Sequence, residues 1–430
     1  MAAGAPLLSK ERLQLPSGKD LLEALDRIET PFYFYDMPLF RRTVAALASE
    51  SSSYGIRVHY AIKANTEERL LRYISSFGFG ADCVSGNEVM HAAACGFSPE
   101  NIVFAGVGKS DREILSSLRL GIGTFNCESL QEIQVVDALA SSLGLRARVS
   151  VRINPDIDAH THKYVTTGLY ENKFGISRHE FEPLVTLLGR CSSVDLQGLH
   201  FHIGSQITDV AEVYSLECRR ASEIVRWFED KGLEIANIDL GGGLGVDYED
   251  PDASPVADFS TWLRTIHDNL PLRPGQTVHV EPGRSVVAQC GTLISRVLFV
   301  KNGETKTFLI LDAGMNDLIR PALYGAYHKI ENLSAMCRTS GHAGPSHESY
   351  GYENSGHGGP ANEEQVYDVV GPVCESSDVW GAGRLLPLST RGDIMAIRSA
   401  GAYGQVMASR YNLRDLAPAV YSDDILQPTV

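Results

Sequence analysis

The stretch VHYAIKAN, Val58 to Asn65, carries an apolar β-type run straight into a primary amine, Lys63. A strand that needs only a wet end can stop in Ser, Asn or Gly, and lysine is costly to bury. Alone, the residue reads as a solvent cap. Chemically, an amine at a strand end is also a nucleophile for an aldehyde. Other reactive groups share the placement. Asp82 lies late in FGADCV, His202 late in VDLQGLHFHIG, Gly241, Gly242 and Gly243 close ANIDLGGG, and Glu281 to Arg284 follow TVHV. A triple glycine alone is a tight turn, and HFH alone is a structural pattern. Their joint occurrence at separate strand ends carries the argument.

The elements that must position these groups follow from periodicity. Between about residues 56 and 282 there are eight short β-type runs: IRVHYAIKA, FGADCV, NIVFAGV, IGTFNC, ARVSVRINP, VDLQGLHFHIG, ANIDLGGG and TVHVEPG. Segments with helical apolar spacing, such as VYSLECRRASEIVRWFEDKG, separate them. Parallel strands need crossover helices, and eight such units close into a (β/α)8 barrel without an edge. In that fold the carboxyl strand ends share one mouth, so Lys63, Asp82, His202, the glycines and Glu281 should face it together. The set suits pyridoxal 5′-phosphate. The amine takes its aldehyde, the glycine turn admits its phosphate, a carboxylate keeps its pyridine nitrogen protonated, and an imidazole stacks on its ring.

After about residue 283 the texture changes to TLISRVLFVK, TKTFLILDAG, EQVYDVVGPV and DIMAIRSAGAYG, which reads as a mainly antiparallel β domain. TPFYFYD, Thr30 to Asp36, should join it. The expected division is a barrel over 37–282 and a discontinuous β domain over 1–36 and 283–430. The Gly-, Ser- and His-rich stretch 338–364 reads as a flexible insertion, and its His342, His347 and His357 as polar loop residues rather than metal ligands.

Composition narrows the class of function. Of 430 residues, 43% are hydrophobic and 21% charged, which describes a globular chain of more than one domain with no membrane-length apolar run. A formal charge of -15 opposes nucleic-acid binding, because a phosphate backbone needs a basic face. The opening MAAGAPLLSKERLQLP lacks the basic-then-apolar pattern of a secretory signal, and eight cysteines without CxxC spacing suit reduced thiols. A cytoplasmic protein with a small-molecule ligand is the expectation.

From about Thr30 onward the chain resembles the diaminopimelate decarboxylases, among the barrel-type (fold type III, alanine racemase-like) pyridoxal phosphate enzymes. The resemblance rests on YAIKAN, GADCVSGNE, RINPDIDAHTHKYVTTGLYENKFGI, HFHIGSQ, DLGGGLG, EPGR, DLIRPALYGAYH, VVGPVCESSD and GAYG. It implies decarboxylation of meso-2,6-diaminopimelate to L-lysine and CO2, the last step of lysine biosynthesis. It implies Lys63 as the Schiff-base lysine, His202 as the stacking imidazole and Glu281 as the partner of the pyridine nitrogen. Asp82, Ser205, Gly242, Gly243, Gly283, Arg284 and Tyr403 complete the implied cofactor site. Arg284, Arg320, Tyr324, Glu375 and Tyr403 are the implied substrate contacts, Cys374 the implied proton donor, and no metal is expected. Family members are homodimers with shared active sites, so Cys374 and Glu375 are expected to serve the partner's Lys63. The chemistry suits such a substrate. A distal carboxylate calls for a guanidinium, and a distal ammonium for a carboxylate.

Overall fold

The structure, a computed structural model, describes residues 18–155, 173–339 and 363–426. The expected insertion at 338–364 falls almost wholly outside the described residues, as do its three histidines and the N-terminal 1–17. The chain divides into two compact units. One comprises Pro38–Val246 and Val256–Gln289, the other Met1–Met37, Asp247–Pro255 and Cys290–Val430.

After β1 (Phe32–Tyr35), the first unit's strands are β2 (Arg57–Ala61), β3 (Gly80–Cys83), β4 (Ile102–Phe104), β5 (Thr124–Cys127), β6 (Ala147–Arg152), β7 (Val194–His200), β8 (Asn237–Asp239) and β9 (Thr277–Val280). Each pairs in parallel with the next, and β9 pairs with β2, so the barrel closes. All eight expected runs are barrel strands. The return helices start on side-chain caps. Ser85 and Ser129 accept the N–H of Glu88 and Glu132, each at 3.2 Å, and Ser110 with Glu113 forms a reciprocal capping box. The helix Val210–Asp230 buries Val213, Tyr214, Cys218, Ala221, Val225 and Phe228, the spacing of one helical face.

Alternation along each strand sends one set of side chains inward and the other toward the helices. Val278 and Val280 belong to the outer, buried layer, while His279 reaches His59 of β2, with His59 Nε2 2.9 Å from His279 Nδ1. The inner layer is unusually polar for such a barrel, where branched aliphatic residues dominate. His59, Asp82, Asn126, Arg152, His200, Asp239 and His279 are all buried.

The second unit is an eight-stranded sheet. Its strands β10 (Gly291–Asn302), β11 (Thr307–Leu311), β12 (Ile330–Asn332), β13 (Glu364–Val370), β14 (Val379–Pro387) and β15 (Ile394–Ile397) run in the order β12-β15-β10-β11-β13-β14. The long β10 shifts register between Val297 and Phe299, so its first half pairs with β15 and its second with β11. TPFYFYD supplies β1, antiparallel to β10 and parallel to β16 (Ala419–Tyr421). Phe32 and Phe34 pack with Leu21, Leu25, Ile294 and Ile394, and on the other face Tyr33 Oη donates to Asp317 O at 2.6 Å. Most pairings are antiparallel; β11 with β13 and β1 with β16 are the parallel ones. The sequence reading missed β12, β14 and β16, two of them three residues long and the third broken by Gly381 and Gly383. Among the described residues no helix is long and apolar enough to cross a membrane.

Candidate active site at the carboxyl end of the barrel

Lys63 sits in a single 3-10 turn, Ile62–Ala64, directly after β2. Its Nζ lies 2.6 Å from Oδ2 of Asp82, which is fully buried at the end of β3. Burial, then the charge of Glu281, pushes the Asp82 carboxyl up, and the Lys63 ammonium opposes them. The other Asp82 oxygen, Oδ1, is buried with no hydrogen-bond partner among the described residues.

Opposite lie the ends of β7, β8 and β9. Glu281 is buried, and its Oε2 accepts from His200 Nε2 at 3.2 Å. Burial would raise its carboxyl, but His200, and after it Lys63, outweighs burial and holds it below the ordinary carboxylate range. Oε1 is buried and has no hydrogen-bond partner among the described residues. His202 is kept from protonating first by burial and then by the Arg152 and Lys63 charges. Its Nδ1 receives the backbone N–H of Gly242 at 3.4 Å, which a neutral ring alone can accept. Arg152 is itself paired with Glu128 at 2.9 Å.

The glycine turn is shaped by close backbone approach. Gly243 has φ +103°, and a Cβ there would lie 2.6 Å from Gly204 O, while one on Gly242 would lie 2.1 Å from Glu281 O. Tyr214 Oη braces the turn from below, donating to Gly242 O at 3.0 Å. A Cβ on Gly283 would come within 3.0 Å of Ala61 and Ala64, tying this glycine against the Lys63 turn. Arg284 is buried, and its Nη2 donates to Ser205 Oγ at 2.9 Å. The barrel end therefore gathers Lys63, Asp82, His202, Ser205, Gly242, Gly243, Glu281, Gly283 and Arg284. An amine, a side-chain-free cradle beside a guanidinium and an unpartnered buried carboxylate oxygen fit a group bearing an aldehyde, a phosphate and a basic ring nitrogen. The sequence reading overlooked His200 and Asp239. The i, i+2 pair in HFH was the visible signal for His200, since both residues of such a pair face the same side of a strand.

The remaining expected residues belong to the second unit. Arg320 is buried at the start of a short helix, Arg320–Tyr324. Its Nη1 donates to Tyr248 Oη at 3.0 Å and to His328 Nε2 at 2.9 Å, and its Cζ is 4.9 Å from the Tyr248 ring centre. Guanidinium can only donate, so His328 Nε2 is the acceptor and its Nδ1–H donates to Arg398 O at 2.8 Å. Tyr324 ends the same helix, half-buried. Cys374 and Glu375 are exposed on the turn after β13. The Cys374 N–H donates to Asn412 Oδ1 at 3.0 Å, and Tyr411 Oη donates to Glu375 Oε1 at 2.6 Å. Tyr403 holds a left-handed φ of 56° in the GAYG turn. Tyr248, Tyr411 and Asn412 were not singled out from sequence, because nothing local links them to the residues they support, and His328, though it closes the DLIRPALYGAYH motif that carries Arg320, was not given a role.

The model of the pyridoxal-dependent decarboxylase pyridoxal binding domain matches residues 40–288. A diaminopimelate decarboxylase of Bacteroides thetaiotaomicron is 47% identical over 93% of this chain and 97% of its own length. One from Zymomonas mobilis is 39% identical over 91% of this chain and 87% of its own. The crystal structure of Helicobacter pylori diaminopimelate decarboxylase complexed with L-lysine superposes with a TM-score of 0.82 at 36% identity, covering 94% of each chain. Extending over barrel and sheet alike, these likenesses agree with the donor set assembled around Lys63, and the chain belongs to the diaminopimelate decarboxylases, a family of pyridoxal-dependent decarboxylases.

Proposed function

We propose that this enzyme, using pyridoxal 5′-phosphate, removes CO2 from meso-2,6-diaminopimelate and releases L-lysine, with Lys63 as the residue that carries the cofactor. The observation that carries the assignment of residues is the convergence of Lys63, Asp82, the Gly243 cradle and buried Glu281 on one end of the barrel. The cofactor-binding domain is taken as the barrel, expected over 37–282 and here extended to Gln289 so that Gly283 and Arg284 belong to it. When bound, the cofactor supplies a ring that accepts the electron pair left by CO2.

The chain's own residues do the rest. Lys63 Nζ would be the amine that anchors the cofactor through its aldehyde. Glu281 holds the proton on the ring nitrogen, and the neutral His202 ring supports the cofactor face. Gly242, Gly243, Gly283, Ser205, Arg284 and Tyr403 hold the phosphate. Arg320, with Tyr324 and Arg284, binds substrate carboxylate, for which a guanidinium fork is the natural partner. Glu375 takes the distal ammonium, and Cys374 Sγ delivers the proton that replaces CO2 at Cα.

The exposure of Cys374 and Glu375 supports a homodimer in which each turn completes the partner's site. Mixing Lys63→Ala with Cys374→Ala chains should then restore one intact site per mixed dimer. No recovered activity above the parent variants counts against sharing. Eight free cysteines, six of them buried, support a reducing, cytoplasmic setting.

The direct test is CO2 release by the cofactor-loaded enzyme on meso-diaminopimelate beside L-lysine, L-ornithine and L-arginine at equal concentration. Turnover confined to diaminopimelate, with L-lysine formed, is expected. Turnover of a simple diamino acid would overturn the roles given to Arg320 and Glu375.

A further inference from the structure

Glu281 can serve a ring nitrogen only as an anion, and the barrel interior works against that. A carboxylate removed from water favours its neutral form unless a donor or a cation compensates it. The cations that face it are already compensated, Lys63 by Asp82 at 2.6 Å and Arg152 by Glu128 at 2.9 Å. His202 is held neutral above it. On its own strand, two residues earlier, His279 is engaged with His59, and burial lowers both rings, His279 to about 3. Of these, Lys63 lowers the Glu281 carboxyl, but less than His200 does.

The layer just beneath supplies something else. His200 and Asp239 are register partners across β7 and β8, and both are buried. One ligand atom from each of His200, Asp239 and Glu281 lies within 4.8 Å of the others. A carboxylate oxygen only accepts, so the 3.2 Å contact requires His200 Nε2 to carry its hydrogen toward Glu281 Oε2. Asp239 Oδ1 accepts the Gly241 N–H at 2.9 Å, which locks its carboxyl to the first residue of the glycine turn. Two carboxyls this close and this dry cannot both ionise. The surroundings sort them. Burial, then the Glu281 charge, drives Asp239 up, whereas His200 holds Glu281 down.

We propose that His200 and Asp239 are positioning residues for the cofactor's ring-nitrogen partner: His200 orients Glu281 through Oε2, and Asp239 carries the one proton the two carboxyls share, leaving the negative charge on Glu281. The proposal rests on the reading that Glu281 faces the ring nitrogen. It accounts for a histidine and an aspartate placed where a barrel of this kind ordinarily packs aliphatic side chains. It also couples the glycine turn to the ring-nitrogen site, since Asp239 touches both Gly241 and the Glu281 neighbourhood.

The test is the 15N resonance of enzyme reconstituted with ring-15N pyridoxal phosphate, which reports protonation of that nitrogen directly, together with kcat. Glu281→Gln should move the resonance from the pyridinium toward the free-pyridine position. If it does not, Glu281 is not the ring-nitrogen partner and the underlying reading falls with the proposal. His200→Phe should move it in the same direction and lower kcat about ten- to hundredfold, the effect of losing one hydrogen bond to a charged group. His200→Gln, which keeps a donor, should recover most of both. His200→Ala replaces the Phe variant should that chain not fold. An unshifted resonance in the donor-less variant, with Glu281→Gln shifted, overturns the role of His200. Asp239→Asn imitates the protonated acid and should leave the resonance at the pyridinium position. A shift toward free pyridine there would show that Asp239 is ionised and overturn its part.

Discussion

The barrel end and the turn after β13 solve opposite problems. At the barrel end, the carboxylates are buried, Lys63 and His202 are half-buried, and each is already paired. Lys63 is set on Asp82, Glu281 on His200, and His202 receives a backbone N–H. On the turn, Cys374 and Glu375 are exposed; the Cys374 N–H is held by Asn412 and the Glu375 carboxylate by Tyr411. The difference teaches where each kind of precision comes from. Cofactor chemistry needs fixed charges in a low dielectric, which strands provide. Cys374 and Glu375 sit on a turn, where keeping a side chain in solvent costs nothing.

Four measurements sharpen or break that contrast. The largest effect belongs to Lys63→Ala, which should remove the covalent cofactor adduct and its absorbance and lower kcat on the order of 10⁴-fold or more, as loss of a covalent nucleophile does. Cys374→Ala should cost about 10²- to 10⁴-fold in kcat, the range for a general acid, yet leave cofactor affinity and its spectrum intact. An altered cofactor spectrum in that variant would place the turn among the cofactor residues and erase the contrast. Arg320→Lys keeps charge but loses the planar fork and the Tyr248 contact, so KM for diaminopimelate should rise about ten- to hundredfold with kcat less affected. Equal falls in kcat and kcat/KM, with KM unchanged, would mean that Arg320 acts only at the transition state.

The smallest effect concerns stability. Burial depresses His279 from 6.5 to about 3. Between those values the unfolded chain binds the additional proton, so this histidine removes stability as pH falls from 6.5 toward 3, by about 1.4 kcal/mol per pH unit. His279→Asn should flatten the acid limb of the denaturation midpoint against pH. An unchanged limb would mean that His279 is not the titrating group.

Particular residues show why some features could be read early and others not. Lys63, the glycine turn and Glu281 were legible because each ends a strand, and a closed barrel brings its strand ends together whatever the details of packing. His200 was half legible, since HFH marks two inward positions but says nothing of what the lower one meets. Asp239 was invisible as a working group: in DLGGG it reads as a turn residue, and its proximity to Glu281 arises from the neighbouring strands β8 and β9. Tyr248 lies 72 residues from the Arg320 it supports, a distance no local pattern bridges, whereas His328 closes the motif that carries Arg320 without announcing that it would accept from it.

By itself the sequence determined the eight-strand barrel, the β-rich second unit, the family and the chemical identity of the groups at the barrel end. Periodicity and motif are properties of the chain read in order, and strand-end placement follows from the topology they imply. Only the tertiary structure decided the partners that set protonation: His200 beneath Glu281, Asp239 beside both, Asp82 under Lys63. Ionisation depends on burial and on charges a few ångströms away, and those neighbours come from strands that are far apart in the chain and adjacent only once the barrel has closed.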